Sequence, residues 1–121
     1  MKKEEDNLIL VKSKAFALRI IRLYKYMCDE KKEFVLSKQV LRSGTSIGAN
    51  AKEASLAQSK KDFQAKLFIA LKEAGETEYW LELLHESDYI EDASFESIYD
   101  DNKELIRILT SILKTSRENQ L

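Results

Sequence analysis

The chain has 121 residues, 44% hydrophobic and 34% charged, with three Gly, no Pro, one Cys and one His. That length suits one core, the apolar fraction argues against disorder, and the lack of turn-forming residues argues against a β-sandwich or barrel. The net charge of −1 hides an asymmetry, because residues 1–61 hold fourteen Lys and Arg against seven Asp and Glu, and residues 62–121 hold six against fourteen.

The first predicted helix runs from Leu8 to Cys28. Leu23, Phe16, Ile9, Met27, Ile20, Tyr24, Ala17, Cys28 and Ile21 fall within about half its circumference, a wide core face. Lys12, Lys14, Arg19, Arg22 and Lys25 occupy the other side, with Val11 and Leu18 among them. Asp29 to Glu33 breaks the apolar pattern and reads as a loop. Ser37 is the predicted N-cap of a second helix reaching about Ala57, its hydroxyl accepting from a first-turn N–H. Small residues dominate its apolar side: Val40, Gly44, Ile47, Gly48, Ala51 and Ala54. Each interior glycine costs about 1 kcal/mol against alanine, so the Gly44-x-x-x-Gly48 spacing predicts close helix approach.

Ser59-Lys60-Lys61-Asp62 resembles a capping box and opens a third predicted helix, Lys60 to Glu86. Phe63, Leu67, Ala70, Ala74, Thr77, Leu81 and Leu84 form one stripe. A second patch of Ala65, Ile69, Trp80 and Leu83, extended by Phe68 and Tyr79, lies elsewhere on the wheel. A helix apolar on nearly all sides needs covering on nearly all sides, so Ile69, Trp80 and Leu83 are the candidate oligomer interface. The last helix starts near Asp92 or Ser94 and buries Phe95, Ile98, Leu105, Leu109 and Ile112, with Asn102 as a polar interruption. Short connections place sequential helices antiparallel, so residues 1–121 are expected to form a single all-α domain, an up-down-up-down four-helix bundle.

No catalytic set is visible, and the expectation is a non-enzyme without cofactor or metal. Glu82-x-x-His85 has the spacing of one half of a di-iron carboxylate site, but His85 is the sole histidine, and a helix C-terminus offers a simpler role. Cys28 reads as a small buried hydrophobe, and one cysteine agrees with a reducing, cytoplasmic setting. The apolar run Leu67–Leu71 is too short to cross a membrane, and no signal peptide is evident. On helix two, Arg42, Ser46, Asn50 and Glu53 follow i, i+4, i+8, i+11 spacing. They read either as a ligand or RNA contact line, or as a structural network with Lys72, Glu73 and Glu76 that sets helix register. Candidate nucleic-acid contacts are Lys12, Lys14, Arg19, Arg22, Lys25, Lys38, Lys52, Lys60, Lys61 and Lys66, since phosphate binding needs gathered cations.

The run Val40-Leu41-Arg42-Ser43-Gly44-Thr45-Ser46-Ile47-Gly48-Ala49-Asn50-Ala51-Lys52-Glu53-Ala54 closely resembles a signature of the small four-helix-bundle family that includes proteins encoded in 23S ribosomal RNA intervening sequences. Lys66 to Leu84, containing Lys72-Glu73-Ala74-Gly75-Glu76 and Tyr79-Trp80, resembles its second signature. The resemblance implies a homo-oligomer, typically a pentamer, with no established catalytic activity. Related bundle proteins that accompany diversity-generating retroelements imply nucleic-acid binding through a basic surface of the assembled ring. Ser46, Asn50 and Glu53 match the family pattern on helix two, and Lys72, Glu73, Glu76 and Trp80 match it on helix three. The combined expectation is a self-assembling bundle presenting helix-one cations to structured RNA, the alternative a protein scaffold without nucleic-acid affinity.

Overall fold

The computed structural model describes residues 4–118. Four helices follow in order: α1 (Glu4–Tyr26), α2 (Leu36–Ser55), α3 (Lys60–Glu86) and α4 (Asp92–Glu118), with no strand among the described residues. Helix α1 packs on α2 and α4, and α3 packs on the same two, so α1 and α3 occupy one diagonal of the bundle. Cross-helix pairs fix the directions. Gly44 faces Ile20 while Gly48 faces Ser13, Arg42 meets Glu73 while Glu53 meets Lys66, and Asn102 meets Ala74 while Gln64 meets Ser116. In each case one chain number rises as the other falls, which is the up-down-up-down arrangement that the short connections predict.

The core stripes are largely those of the helical wheels. Phe16, Ile20 and Met27 of α1, Val40 and Ile47 of α2, Leu67, Leu81 and Leu84 of α3, and Leu105 and Leu109 of α4 are all buried. The glycines of α2 do have a packing reason. A Cβ on Gly44 would sit 2.8 Å from Ile20 Cγ1, and one on Gly48 would sit 3.2 Å from Ser13 Oγ. The α1–α2 seam is therefore closed to the width of a missing methyl group.

The connection between α1 and α2 departs from expectation. Instead of a loop over Asp29–Glu33, the helix widens into a π turn over Met27–Lys31, and Lys32 ends it at φ 53° in the left-handed region. The Met27 carbonyl accepts from the N–H groups of both Lys32 and Glu33. Ser37 is not the N-cap. The Glu33 carboxylate accepts from the backbone N–H of Val35 at 3.0 Å, Leu36 at 2.9 Å and Ser37 at 2.7 Å, while the Ser37 hydroxyl donates to the Glu33 carbonyl at 2.8 Å. A carboxylate is a stronger acceptor than a hydroxyl and can take several orphan donors of a helix start at once. Burial pushes the Glu33 carboxyl up, but these bonds outweigh it and hold the group below the usual carboxylate range.

Ser59 caps α3 as its motif predicts, its hydroxyl accepting from Asp62 N–H at 3.0 Å. Helix α2 stops at Ser55, short of Ala57, where Leu56 N–H and Ala57 N–H bond back to Glu53 and Ala54. Asn102 is fully buried. Its amide donates to the Ala74 carbonyl at 2.9 Å, and its own carbonyl oxygen has no partner.

Candidate functional site

The polar line of α2 divides into two groups. Arg42 reaches across to α3, bonding Glu73 at 3.2 Å and also Glu76, and Glu76 accepts from the Trp80 indole N–H at 2.9 Å. Three turns away Glu53 holds Lys66 at 3.0 Å, and this bond keeps the Lys66 proton on above the usual lysine range. Ser46 and Asn50 lie between, half-buried, and the Asn50 amide donates to the Ser46 carbonyl of its own helix at 2.9 Å. Lys72 stands outside both groups, its ammonium 5.9 Å from the Phe68 ring. Arg42 is 49% exposed, so each of these contacts contributes about 1 kcal/mol at most. The Arg42 and Glu53 pairs link α2 to α3 at two points three turns apart.

The ten candidate cations do not gather on one face. Lys12 pairs with Glu104 at 2.9 Å, and Arg19 bonds Asp101 and Ser97, each at 2.7 Å, so these two face the acidic side of α4. Lys14, Arg22 and Lys25 are exposed along the outer side of α1. Lys38 and Lys52 are exposed at opposite ends of α2, and Lys60 and Lys61 at the start of α3, while Lys66 is held by Glu53. Residues that sequence reasoning left out stand at the α1–α2 connection. Lys31 and Lys32 are exposed there beside Tyr26, Phe34 and Val35, and the Lys31 ammonium lies 5.9 Å from the Tyr26 ring. The signal was available as an aromatic and an aliphatic residue next to a charge run.

Of the candidate interface residues, Ile69 is exposed, whereas Trp80 and Leu83 are half-buried. Trp80 leans toward the core, tied to Glu76 and edge-on to Tyr79 at 5.2 Å. The more open apolar side chains of α3 are Phe68 and Tyr79, each 54% exposed. On α1, Val11 and Leu18 point to solvent, 68% and 50% exposed. A hollow of 450 Å³ at one end is lined by Arg19, Arg22, Tyr26, Tyr89 and Glu91 among others.

The Glu82-x-x-His85 pair is used locally. Glu82 accepts from the Tyr99 hydroxyl, and His85 Nε2 lies 2.7 Å from Asp92 Oδ1 with its ring stacked on Phe95 at 4.0 Å. Burial, then the bond to Glu82, pushes the Tyr99 hydroxyl well above the usual tyrosine range. Among the described residues, no three His, Cys, Asp or Glu side chains come together as metal ligands. Cys28 is half-buried rather than enclosed, and its contact with Tyr24 raises the tyrosine's pKa. No helix is long and apolar enough to cross a membrane among the described residues.

The sequence profile described as 23S rRNA-intervening sequence protein matches residues 5–111. Among solved structures, a protein of unknown function from the S23 ribosomal protein family of Bacteroides thetaiotaomicron VPI-5482 is similar, with 58% identity and a TM-score of 0.90. The match covers 91% of this chain and 98% of that one. No curated protein matches.

Proposed function

The chain belongs to the 23S rRNA-intervening sequence protein family, and from that premise we propose that it works as a non-enzymatic, self-assembling binding module. The observation that carries this reading is the exposed apolar surface of α3, where Phe68, Ile69 and Tyr79 face solvent. Large apolar side chains left open to solvent on one helix of a small bundle suit burial against another surface. The assembled unit is a homo-oligomer, a pentamer as the family resemblance implies, and it acts as a scaffold. Light scattering at micromolar chain concentration tests this. A single species several times the 14.0 kDa of one chain supports it, and a monodisperse monomer overturns it.

A second reading is favoured by the α1–α2 end of the bundle. There Arg22, Lys25, Lys31, Lys32 and Lys38 are exposed together with Tyr26 and Phe34. Cations near an exposed aromatic suit phosphates flanking an unpaired base, so this tip is a candidate contact for structured RNA with single-stranded loops. Repetition around an oligomer multiplies weak contacts. Binding of an RNA hairpin that falls with rising salt and is lost in Lys31→Glu/Lys32→Glu supports the contact, and no binding at low salt by the assembled protein removes it.

A further inference from the structure

The 450 Å³ hollow opens on the seam between α1 and α4, at the end of the bundle where α1 runs into the π turn. One wall comes from α1, where Arg19, Arg22 and Tyr26 step by three and four residues along one side of the helix. The other comes from the α3–α4 connection, which is a closed turn. Asp88 takes φ 68° in the left-handed region, the Asp88 N–H bonds back to the His85 carbonyl at 3.1 Å, and the Tyr89 N–H bonds back to Leu84 at 2.9 Å. The Glu91 carbonyl then accepts from Phe95 N–H at 2.9 Å, which sets Glu91 against the first turn of α4. Tyr89 and Glu91 thus reach the hollow from backbone that is already fixed, and buried Ile90 and Ile98 form its apolar base.

Three charged side chains line the hollow: Arg19, Arg22 and Glu91. Arg19 is engaged by Asp101 and Ser97, each at 2.7 Å. Arg22 and Glu91 are exposed, and among the described residues neither has a hydrogen bond or an ion pair. Each wall also brings a tyrosine, Tyr26 exposed and Tyr89 half-buried. An apolar base, two tyrosines, one open acceptor and one open cation suit a flat ring with donors on one edge and a negative charge beside it. A nucleobase with its phosphate has that form.

Stacking on tyrosine accepts any base, so the choice among bases falls to Glu91. A carboxylate only accepts, and it takes two parallel donors best. Guanine presents N1–H and N2–H side by side. Adenine and cytosine set one donor next to an acceptor, and uracil sets one donor between two acceptors, so each brings an acceptor against the carboxylate. Resting on the RNA reading of the α1–α2 end above, we propose that the hollow receives one unpaired guanine of a bound RNA. Glu91 accepts from its N1–H and N2–H, Arg22 pairs with a flanking phosphate, and Tyr26 and Tyr89 cover the ring.

RNA hairpins that differ in one loop base test this, with binding to the assembled protein read by fluorescence anisotropy at low salt. The loop guanine is expected to bind about tenfold tighter than adenine or inosine at the same position, since inosine lacks only the N2 amine. Glu91→Gln, an exposed change whose fold circular dichroism checks, is expected to bind all three hairpins alike. Arg22→Gln is expected to weaken all three by a similar factor and keep their order. Equal binding of the three hairpins by the unmodified protein, or a guanine preference that survives Glu91→Gln, overturns the pocket and leaves the RNA reading standing. If no hairpin binds, the RNA reading falls, and guanosine 5′-monophosphate titrated alone decides the rest. Saturable binding lost in Glu91→Gln assigns the hollow to a free nucleotide instead of RNA, and no binding removes the site altogether.

Discussion

Replacing Gly44 with alanine measures how tightly α1 and α2 are seated. The new methyl carbon would lie 2.8 Å from Ile20 Cγ1 and 2.9 Å from Cγ2, separations that real Cβ atoms do not tolerate. Both atoms are bonded directly to the Ile20 Cβ, so no distal torsion moves them, and Ile20 is 0% exposed with neighbours all round. Relief must come from the helices moving apart. Overpacking of this kind costs about 1–3 kcal/mol, and alanine returns about 1 kcal/mol of helix propensity. With contacts this short the balance falls at a net loss of about 1–2 kcal/mol, read as a lower urea midpoint with unchanged slope at fixed chain concentration. Ile20→Ala alone costs about 2–5 kcal/mol by leaving a cavity. In the double variant the Gly44→Ala methyl enters that space, so the two changes couple favourably by about 1 kcal/mol or more. Strict additivity, or a Gly44→Ala protein as stable as the parent, would refute the close seam.

The remaining predictions concern single positions. Because the folded-state pKa of Glu33 is depressed, its contribution to stability is complete above the ordinary carboxylate range near pH ~4.3 and is lost as pH falls through the lower folded value. Glu33→Gln is expected to lose about 1–3 kcal/mol at neutral pH and to show a shallower decline in acid than the parent, both read from denaturation midpoints across pH. Asn102→Leu removes a buried carbonyl oxygen that has no partner, so stability should hold or rise by about 1 kcal/mol; a fall beyond about 2 kcal/mol in thermal melts would mean that the side chain is better satisfied than its one bond to Ala74 implies. Gly75→Ala should raise the unfolding free energy measured in urea by about 0.5–1 kcal/mol, since the methyl meets nothing. A fall there would place Gly75 in a packed environment within the chain.

How far the sequence reached follows from the range of each interaction. Helix periodicity is local, so the core stripes on all four helices could be read from spacing, and the Ser59 cap could be read from three residues of separation. The start of α2 could not. The motif pointed to Ser37, but the acceptor is Glu33, whose carboxylate reaches the helix start only because the π turn and the left-handed Lys32 fold the chain back over it. Nothing in a binary pattern encodes that widened turn. On α3 the wheel separated two apolar patches but not their degree of cover, because Trp80 turns inward through its bond to Glu76 while Phe68 and Tyr79 stay outside. That difference is set by side-chain rotamers and a cross-helix arginine.

The charge asymmetry shows the same limit more sharply. From sequence, a basic first half and an acidic second half can attract within one chain or between chains, and counting cannot choose. Once folded, the two faces of α1 differ in how they use their charge. Lys12 and Arg19 turn toward α4 and take Glu104 and Asp101, so that part of the asymmetry is spent on internal pairing. Lys14, Arg22 and Lys25 lie on the outer face, alongside the two apolar residues, Val11 and Leu18, that looked misplaced among cations on the wheel. An exposed apolar residue in a basic row adds nothing to a solvated surface and is what an interaction surface offers. The near-neutral total thus conceals a basic α1 and an acidic α4 that satisfy part of each other's charge across the seam between them.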